Sequence, residues 1–250
     1  MMEMMTVSRW ALLPPVYSIL TAAGLWLVYF EAVFHNRISR LGSTHMRNAS
    51  LYYPYISIAG NFAPASCTFS EVMNLAAFGG FIIAVLRYLQ LKHKSAKQWL
   101  NFCSLLVFSV ACFGMTLVGN FQVFADMATH NIGTFMTFVL GTVFCWVQSY
   151  ITLKVNIKNE GRVAGILRFV LSGFITIFMI LHFSLSGLSL HMQSAQCQWT
   201  LVMFFLLFLS TFGIEFRHNH FKIVCTDTCE RPETWSEMMS EVSTHHPNEL

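Results

Sequence analysis

Six long apolar runs constrain this chain more than any other feature. They lie near Ala11–Val33, Val72–Leu91, Trp99–Val118, Ile132–Leu153, Ile166–Ser186 and Trp199–Phe216. An α-helix needs about 20 apolar residues to cross the hydrocarbon core of a bilayer. The blocks are continuous rather than alternating in polarity, so they predict helices and not the strands of a β-barrel. Composition agrees: 55% of the residues are hydrophobic and only 11% charged, against about a quarter charged in a soluble domain. The sequence therefore predicts an all-α polytopic membrane protein with six transmembrane helices. The membrane domain is expected over residues 1–225, and 226–250 reads as a short, polar, disordered cytosolic tail. The first run is longer than a signal-peptide core and lacks a clear cleavage site, so it reads as a retained span. Pro14 and Pro15 fall in its first turn, where proline is tolerated.

Orientation follows from the basic residues. Lys92, Lys94 and Lys97 lie between spans two and three with Arg87 just before them, and Lys154, Lys158, Arg162 and Arg168 between spans four and five. Arg217, Lys222 and Arg231 follow span six, and Arg9 precedes span one. Gly119–Asn131 and Gly187–Gln198 carry no Lys or Arg. The positive-inside rule then places both termini in the cytosol. Arg37, Arg40 and Arg47 in the first outside loop run against the trend without reversing it. That loop carries Asn48-Ala49-Ser50, a glycosylation acceptor motif in a segment expected outside.

The polar residues near the outer side are Glu31, Glu71, Asn74, Asn120, Gln122 and Asp126. A cation pathway needs acceptor oxygens facing a wet cavity. Glu71, Asn74, Asn120, Gln122 and Asp126 are therefore the candidate outer-mouth residues. The blander reading has Asn120 and Gln122 capping helix ends and Asn74 bonding to a neighbouring helix. Glu215 stands at the cytosolic end of span six, and few other charges are expected inside the spans. Gly79, Gly80, Gly114, Gly119, Gly141 and Gly173 read as close-packing positions between helices. Trp10, Trp99, Trp199 and Tyr88 read as interface anchors. Cys67 and Cys197, at the outer ends of spans two and six, are candidates for a disulfide on an oxidising side. Cys225, close to the bilayer, is a candidate for palmitoylation. No HExxH, GxSxG or phosphate loop is present, and Asp126 with His130 is not a catalytic constellation. No enzyme activity, cofactor, metal or nucleic-acid partner is expected.

Several separated stretches carry a family resemblance. They are PYISIAGNFAPASC (Pro54–Cys67), FSEVMN (Phe69–Asn74), LRYLQLK at the end of span two and FGMTLVGNFQ (Phe113–Gln122). LKVNIKNEGR joins spans four and five, QWTLVMFF opens span six and EFRH ends it. Together they resemble the six-span DRAM/Frag/Sfk family, and within it the transmembrane-protein-150 group. YISIAG…PASC, VNIKNEGR and EFRH…IVC are most similar to the C-type, tentonin-like branch of that group. The resemblance covers nearly the whole chain up to about Cys225. It departs from the family at Cys197-Gln198-Trp199, where many members carry Cys-Glu-Trp, so a role that needs that acid is in doubt.

The resemblance implies a component or modulator of a mechanosensitive, slowly inactivating cation channel. The alternative it implies is a non-conducting membrane adaptor or regulator linked to autophagy and lysosomes or to phosphoinositide-kinase scaffolding. The implied partners are the lipid bilayer and either further copies of the chain or other channel subunits. The implied location is the plasma membrane, with lysosomal or endosomal membranes as a second site.

Overall fold

The computed structural model describes residues 8–43, 51–94, 97–156, 161–217 and 219. Asn48, Cys225 and the tail 226–250 lie outside the described residues. The chain runs through α1 (Leu13–Phe34), the short α2 (Ile56–Ala59), α3 (Ala65–Leu91), α4 (Gln98–Asn120), α5 (Met127–Phe135), α6 (Gly141–Val155), α7 (Gly161–Gly187), α8 (His191–Ser210) and α9 (Phe212–Phe216). A 3₁₀ turn, Arg9–Leu12, leads into α1, and a π-helical turn, Met136–Leu140, joins α5 to α6. These elements form six helices long and apolar enough to cross a membrane: Arg9–Phe34, Ala65–Leu91, Gln98–Asn120, Met127–Val155, Gly161–Gly187 and His191–Phe216.

The spans close into a ring. α1 packs on α3, α3 on α4, α4 on α5 and α6, α6 on α7, α7 on α8, and α8 returns to α1. The two ends of the membrane bundle meet at one face, where the amide of Ser8 donates to the carbonyl of Arg217 at 3.4 Å. That face, which also carries the α3–α4 and α6–α7 connections, is called here the terminal end, and the opposite face the loop end. Large apolar side chains such as Phe30, Phe78, Phe113 and Ile177 point away from the bundle. Such an outward apolar surface costs nothing against hydrocarbon and would cost free energy against water.

Sequence chemistry explains the local geometry. Pro14 and Pro15 occupy the first positions of α1, where the missing N–H leaves no bond unmade. Gly114 and Gly133 let α4 and α5 touch backbone to backbone. A Cβ on either glycine would lie 2.8 Å from the other's carbonyl oxygen. Gly119, Gly79 and Gly141 also face close neighbours, Met73, Tyr17 and Phe205. Gly173 does not follow the expectation: it faces open space, with nothing within 4 Å of an added Cβ. In span four the hydroxyls of Thr134, Thr137 and Thr142 donate to the carbonyls four residues back. Such back-bonding bends helices, and here it brackets the π-helical turn.

The loop end is closed by a lid from the α1–α3 connection. Ser39 donates to the carbonyl of Tyr52 at 2.9 Å, and Tyr52 to that of Arg37 at 3.2 Å. Trp199 is the anchor beneath it. Its indole donates to the carbonyl of Pro54 at 2.9 Å and stacks on Trp26 at 4.5 Å between centroids. Trp199 is only 3% exposed, so the expected interface role gives way to a core role. An indole N–H inside a protein must find an acceptor, and the carbonyl before the lid helix supplies it.

Candidate functional site

Two polar groups stand at opposite ends of the ring. The larger is at the terminal end and is built from four spans. Arg87 and Gln90 come from the last turns of α3, Gln148 and Thr152 from α6, Arg168 from α7, and Thr211 and Glu215 from the end of span six. Arg87 and Arg168 are 0% exposed and Glu215 is 1% exposed. One carboxylate oxygen serves both arginines: Glu215 Oε2 is 3.0 Å from Arg87 Nη1 and 2.6 Å from Arg168 Nη2. These are charge contacts without hydrogen-bond alignment, and Glu215 Oε1 has no hydrogen-bond partner.

The neutral side chains take up the remaining arginine donors. Arg87 donates through Nε to Gln148 Oε1 at 3.1 Å, through Nη1 to Gln90 Oε1 at 2.6 Å and through Nη2 to Thr152 Oγ1 at 2.9 Å. Arg168 donates through Nε to Thr211 Oγ1 at 2.8 Å and through Nη1 to Thr152 Oγ1 at 2.5 Å. Thr152 thus accepts from both arginines while donating to the carbonyl of Gln148 at 2.7 Å. The ring of Phe212 lies 4.3 Å from the Arg168 guanidinium carbon and 5.2 Å from that of Arg87. Gln90 closes the group by donating to the Glu215 carbonyl at 3.0 Å.

Two guanidinium groups facing one carboxylate leave one net positive charge. Isolated charges in so dry a place would cost several kcal/mol each. The amide, hydroxyl and aromatic partners offset that penalty and fix the four helix ends relative to one another. The arrangement is suited to holding a structure. Its charges are too deeply covered to meet a solute.

Along the chain Arg87 and Arg168 count among the basic residues that set orientation, and few buried charges are expected within the spans. The structure buries both arginines together with Glu215. Arg87 lies one turn inside the end of α3, and Arg168 lies inside α7. The available signal was one acid and two bases, each inside an apolar run and all at the same end of the bundle.

The loop-end group is small and neutral. Asn74 of α3 donates to Asn120 Oδ1 of α4 at 2.9 Å, and Asn120 donates back to Asn74 Oδ1 at 3.2 Å. Ser70 adds a donor to Asn120 Oδ1 at 2.7 Å. Asn120 therefore spends its side chain on a neighbouring helix rather than on capping its own. The cap in this region belongs to Asp126, which precedes α5. It accepts from the Thr129 amide at 3.1 Å and the Thr129 hydroxyl at 2.6 Å. Those bonds hold its carboxyl below the usual aspartate range. Gln122 contributes its backbone carbonyl to Ala125 and Asp126. Glu71 is exposed. Cys67 and Cys197 are unbridged, and their helices, α3 and α8, both flank α1.

Between the two groups the axis of the ring is apolar. Phe108 and Phe144 stack at 4.1 Å between centroids, and Phe144 meets Phe208 and Phe212 edge-on. All four rings are buried. On the loop side of this layer lies a cavity of about 110 Å³. Gln198 stands at its loop end, accepting from the Ile56 amide through Oε1 at 2.9 Å. The amide oxygen makes this bond without a charge, so the lid stays attached despite the departure from Cys-Glu-Trp. Among the described residues, no group of three or more His, Cys, Asp or Glu could hold a metal ion.

Residues 9–219 match the family described as Frag1/DRAM/Sfk1/Cwh43P N-terminal domain. The chain belongs to the Frag1/DRAM/Sfk1 family. Among its relatives, the modulator of macroautophagy TMEM150B of Xenopus tropicalis is 34% identical over 209 residues, covering 84% of this chain and 87% of that one. The human protein of the same name is 30% identical, covering 82% and 85%. Transmembrane protein 150A of Xenopus laevis is 29% identical, covering 84% of each chain. No solved structure matches. This member of the Frag1/DRAM/Sfk1 family therefore falls in the transmembrane-protein-150 group. The relatives' names are those of modulators or membrane proteins, not of enzymes or channels. They favour the regulator reading over the channel reading.

Proposed function

We propose that this chain is a non-conducting six-span regulator of autophagy-linked membranes. The observation that supports it best is the closed axis. The polar groups at the two ends are separated by stacked aromatic rings and an apolar cavity. Ion passage needs a continuous chain of oxygens or water to replace the hydration shell, and among the described residues the lining of this axis is mostly apolar, with Thr21, Ser57, Thr134, Thr137 and Gln198 as scattered polar groups. The names of the TMEM150B relatives supply the link to macroautophagy. The chain acts through its position in the membrane and through partners, with the ion cluster keeping the helix ends in register.

Within this reading both termini face the cytosol, as the lysines left exposed near the terminal end favour. Asn48 then carries a glycan, and glycosidase treatment should raise gel mobility in the wild type but not in Asn48→Gln. A second reading draws on VNIKNEGR and the other segments that resemble the C-type branch. On it the chain is a component or modulator of a mechanosensitive cation channel at the plasma membrane. Cells depleted of the protein separate the two. The regulator reading expects altered autophagic flux, scored with a tandem pH-sensitive reporter and restored by re-expression. Unaltered flux with loss of a stretch-evoked current favours the second reading.

A further inference from the structure

The cavity on the ring axis has the properties of a lipid site. It is partly open, and five of the six spans line it. Tyr17, Met73, Phe108, Met115 and Phe205 give it an apolar, adaptable wall. Methionine side chains re-pack around irregular apolar guests. Dry apolar cavities of roughly 150 Å³ take up small apolar molecules, so a space of about 110 Å³ holds a short stretch of a slim chain and not a fused-ring body.

A second observation gives the site a polar end. Gln198 is 6% exposed and lines the cavity. Its Oε1 is engaged by the Ile56 amide, while its Nε2 makes no hydrogen bond within the described residues. That donor has no protein acceptor among the described residues, so a ligand oxygen at the cavity can take it. Ser57 of α2 lies at the same cavity.

We propose that this cavity binds the carbonyl-proximal segment of one acyl chain of a single-chain lipid, with the lipid's carbonyl or hydroxyl oxygen accepting from Gln198 Nε2. The chain enters from the bilayer, lies between α1, α3, α4 and α8, and bears on the same helices that the lid and Trp199 hold together. The site is independent of whether the protein regulates autophagy or a channel.

The test uses the full chain in cell membranes, with a photoreactive, clickable fatty acid and a photoreactive, clickable sterol as separate probes. The expected result is crosslinking of the fatty-acid probe to peptides containing Met73 or Met115. Filling the cavity with Ala111→Phe should reduce that labelling several-fold. Gln198→Glu keeps the acceptor for Ile56 and removes the donor, so it should weaken labelling while leaving the melting temperature of the purified protein near wild type. Ala76→Met serves as a milder filler where Ala111→Phe lowers expression. Labelling confined to lipid-facing residues such as Phe113, or unchanged in the filled variants, overturns the proposal. Cavity labelling by the sterol probe alone overturns the assignment to an acyl chain.

Discussion

The two ends of the ring solve the same problem with different chemistry. At the loop end Asn74 and Asn120 join α3 to α4 through neutral, reciprocal amide bonds at a partly exposed position. At the terminal end Arg87, Glu215 and Arg168 join three spans through buried charge, and Gln148 and Thr152 tie in a fourth. The first junction tolerates loss, because water can replace a missing partner. The second does not, because removing one charge leaves the others stranded in a low-dielectric interior. The bundle's sensitivity to single losses is therefore concentrated at the terminal end.

The largest expected effect follows from the shared carboxylate. Glu215→Ala strands two guanidinium groups and should destabilise the protein by about 3–5 kcal/mol, read as loss of surface or organelle delivery and a lower melting temperature in detergent. The triple replacement Arg87→Met, Arg168→Met and Glu215→Leu should recover much of that loss, since an apolar set of similar volume is often neutral. A triple variant less stable than Glu215→Ala would break the comparison. Next comes Thr152→Val, which removes one acceptor from both arginines. Bonds to charged groups contribute about 1.5–3 kcal/mol each, so chemical unfolding should show a loss of that order.

The loop end should yield smaller effects. A double-mutant cycle on Asn74→Ala and Asn120→Ala should give a coupling of about 0.6–2 kcal/mol, in the range of interhelical polar pairs in membranes. Coupling as large as the Glu215 effect would erase the distinction between the ends. The smallest effect concerns Asp126, an exposed cap. Its carboxyl is held below the ordinary value of 3.8 by its bonds to Thr129. A depressed acid stabilises the fold above its unfolded value, and that contribution fades as pH falls through the folded value. The gap in melting temperature between wild type and Asp126→Ala should therefore be present at neutral pH and shrink on acidification. A gap independent of pH would mean the carboxylate is not the capping species.

The six spans were legible in the sequence because apolar runs of bilayer length have few other uses. Their outer starts were not. α3 begins at Ala65 and α8 at His191, turns before the apolar runs, because Ser70 and Gln198 find partners on neighbouring elements, Asn120 and the Ile56 amide. The site was legible only in pieces. Arg87 and Arg168 look like ordinary cytosolic charges when read along the chain, since basic residues near helix ends usually reach solvent. Only the ring topology carries Glu215, from the far end of the sequence, to both of them. Trp199 misled for the same reason: an interface residue by type, it becomes a core residue once Pro54 offers an acceptor.

The central claim is that the axis of this ring is closed to ions, and reconstitution tests it most directly. Purified protein in planar or patched bilayers, recorded while membrane tension is raised, should give no unitary currents at any tension the membrane survives. Stretch-evoked unitary currents that change in conductance on neutralising Glu71 or Asp126 would contradict it.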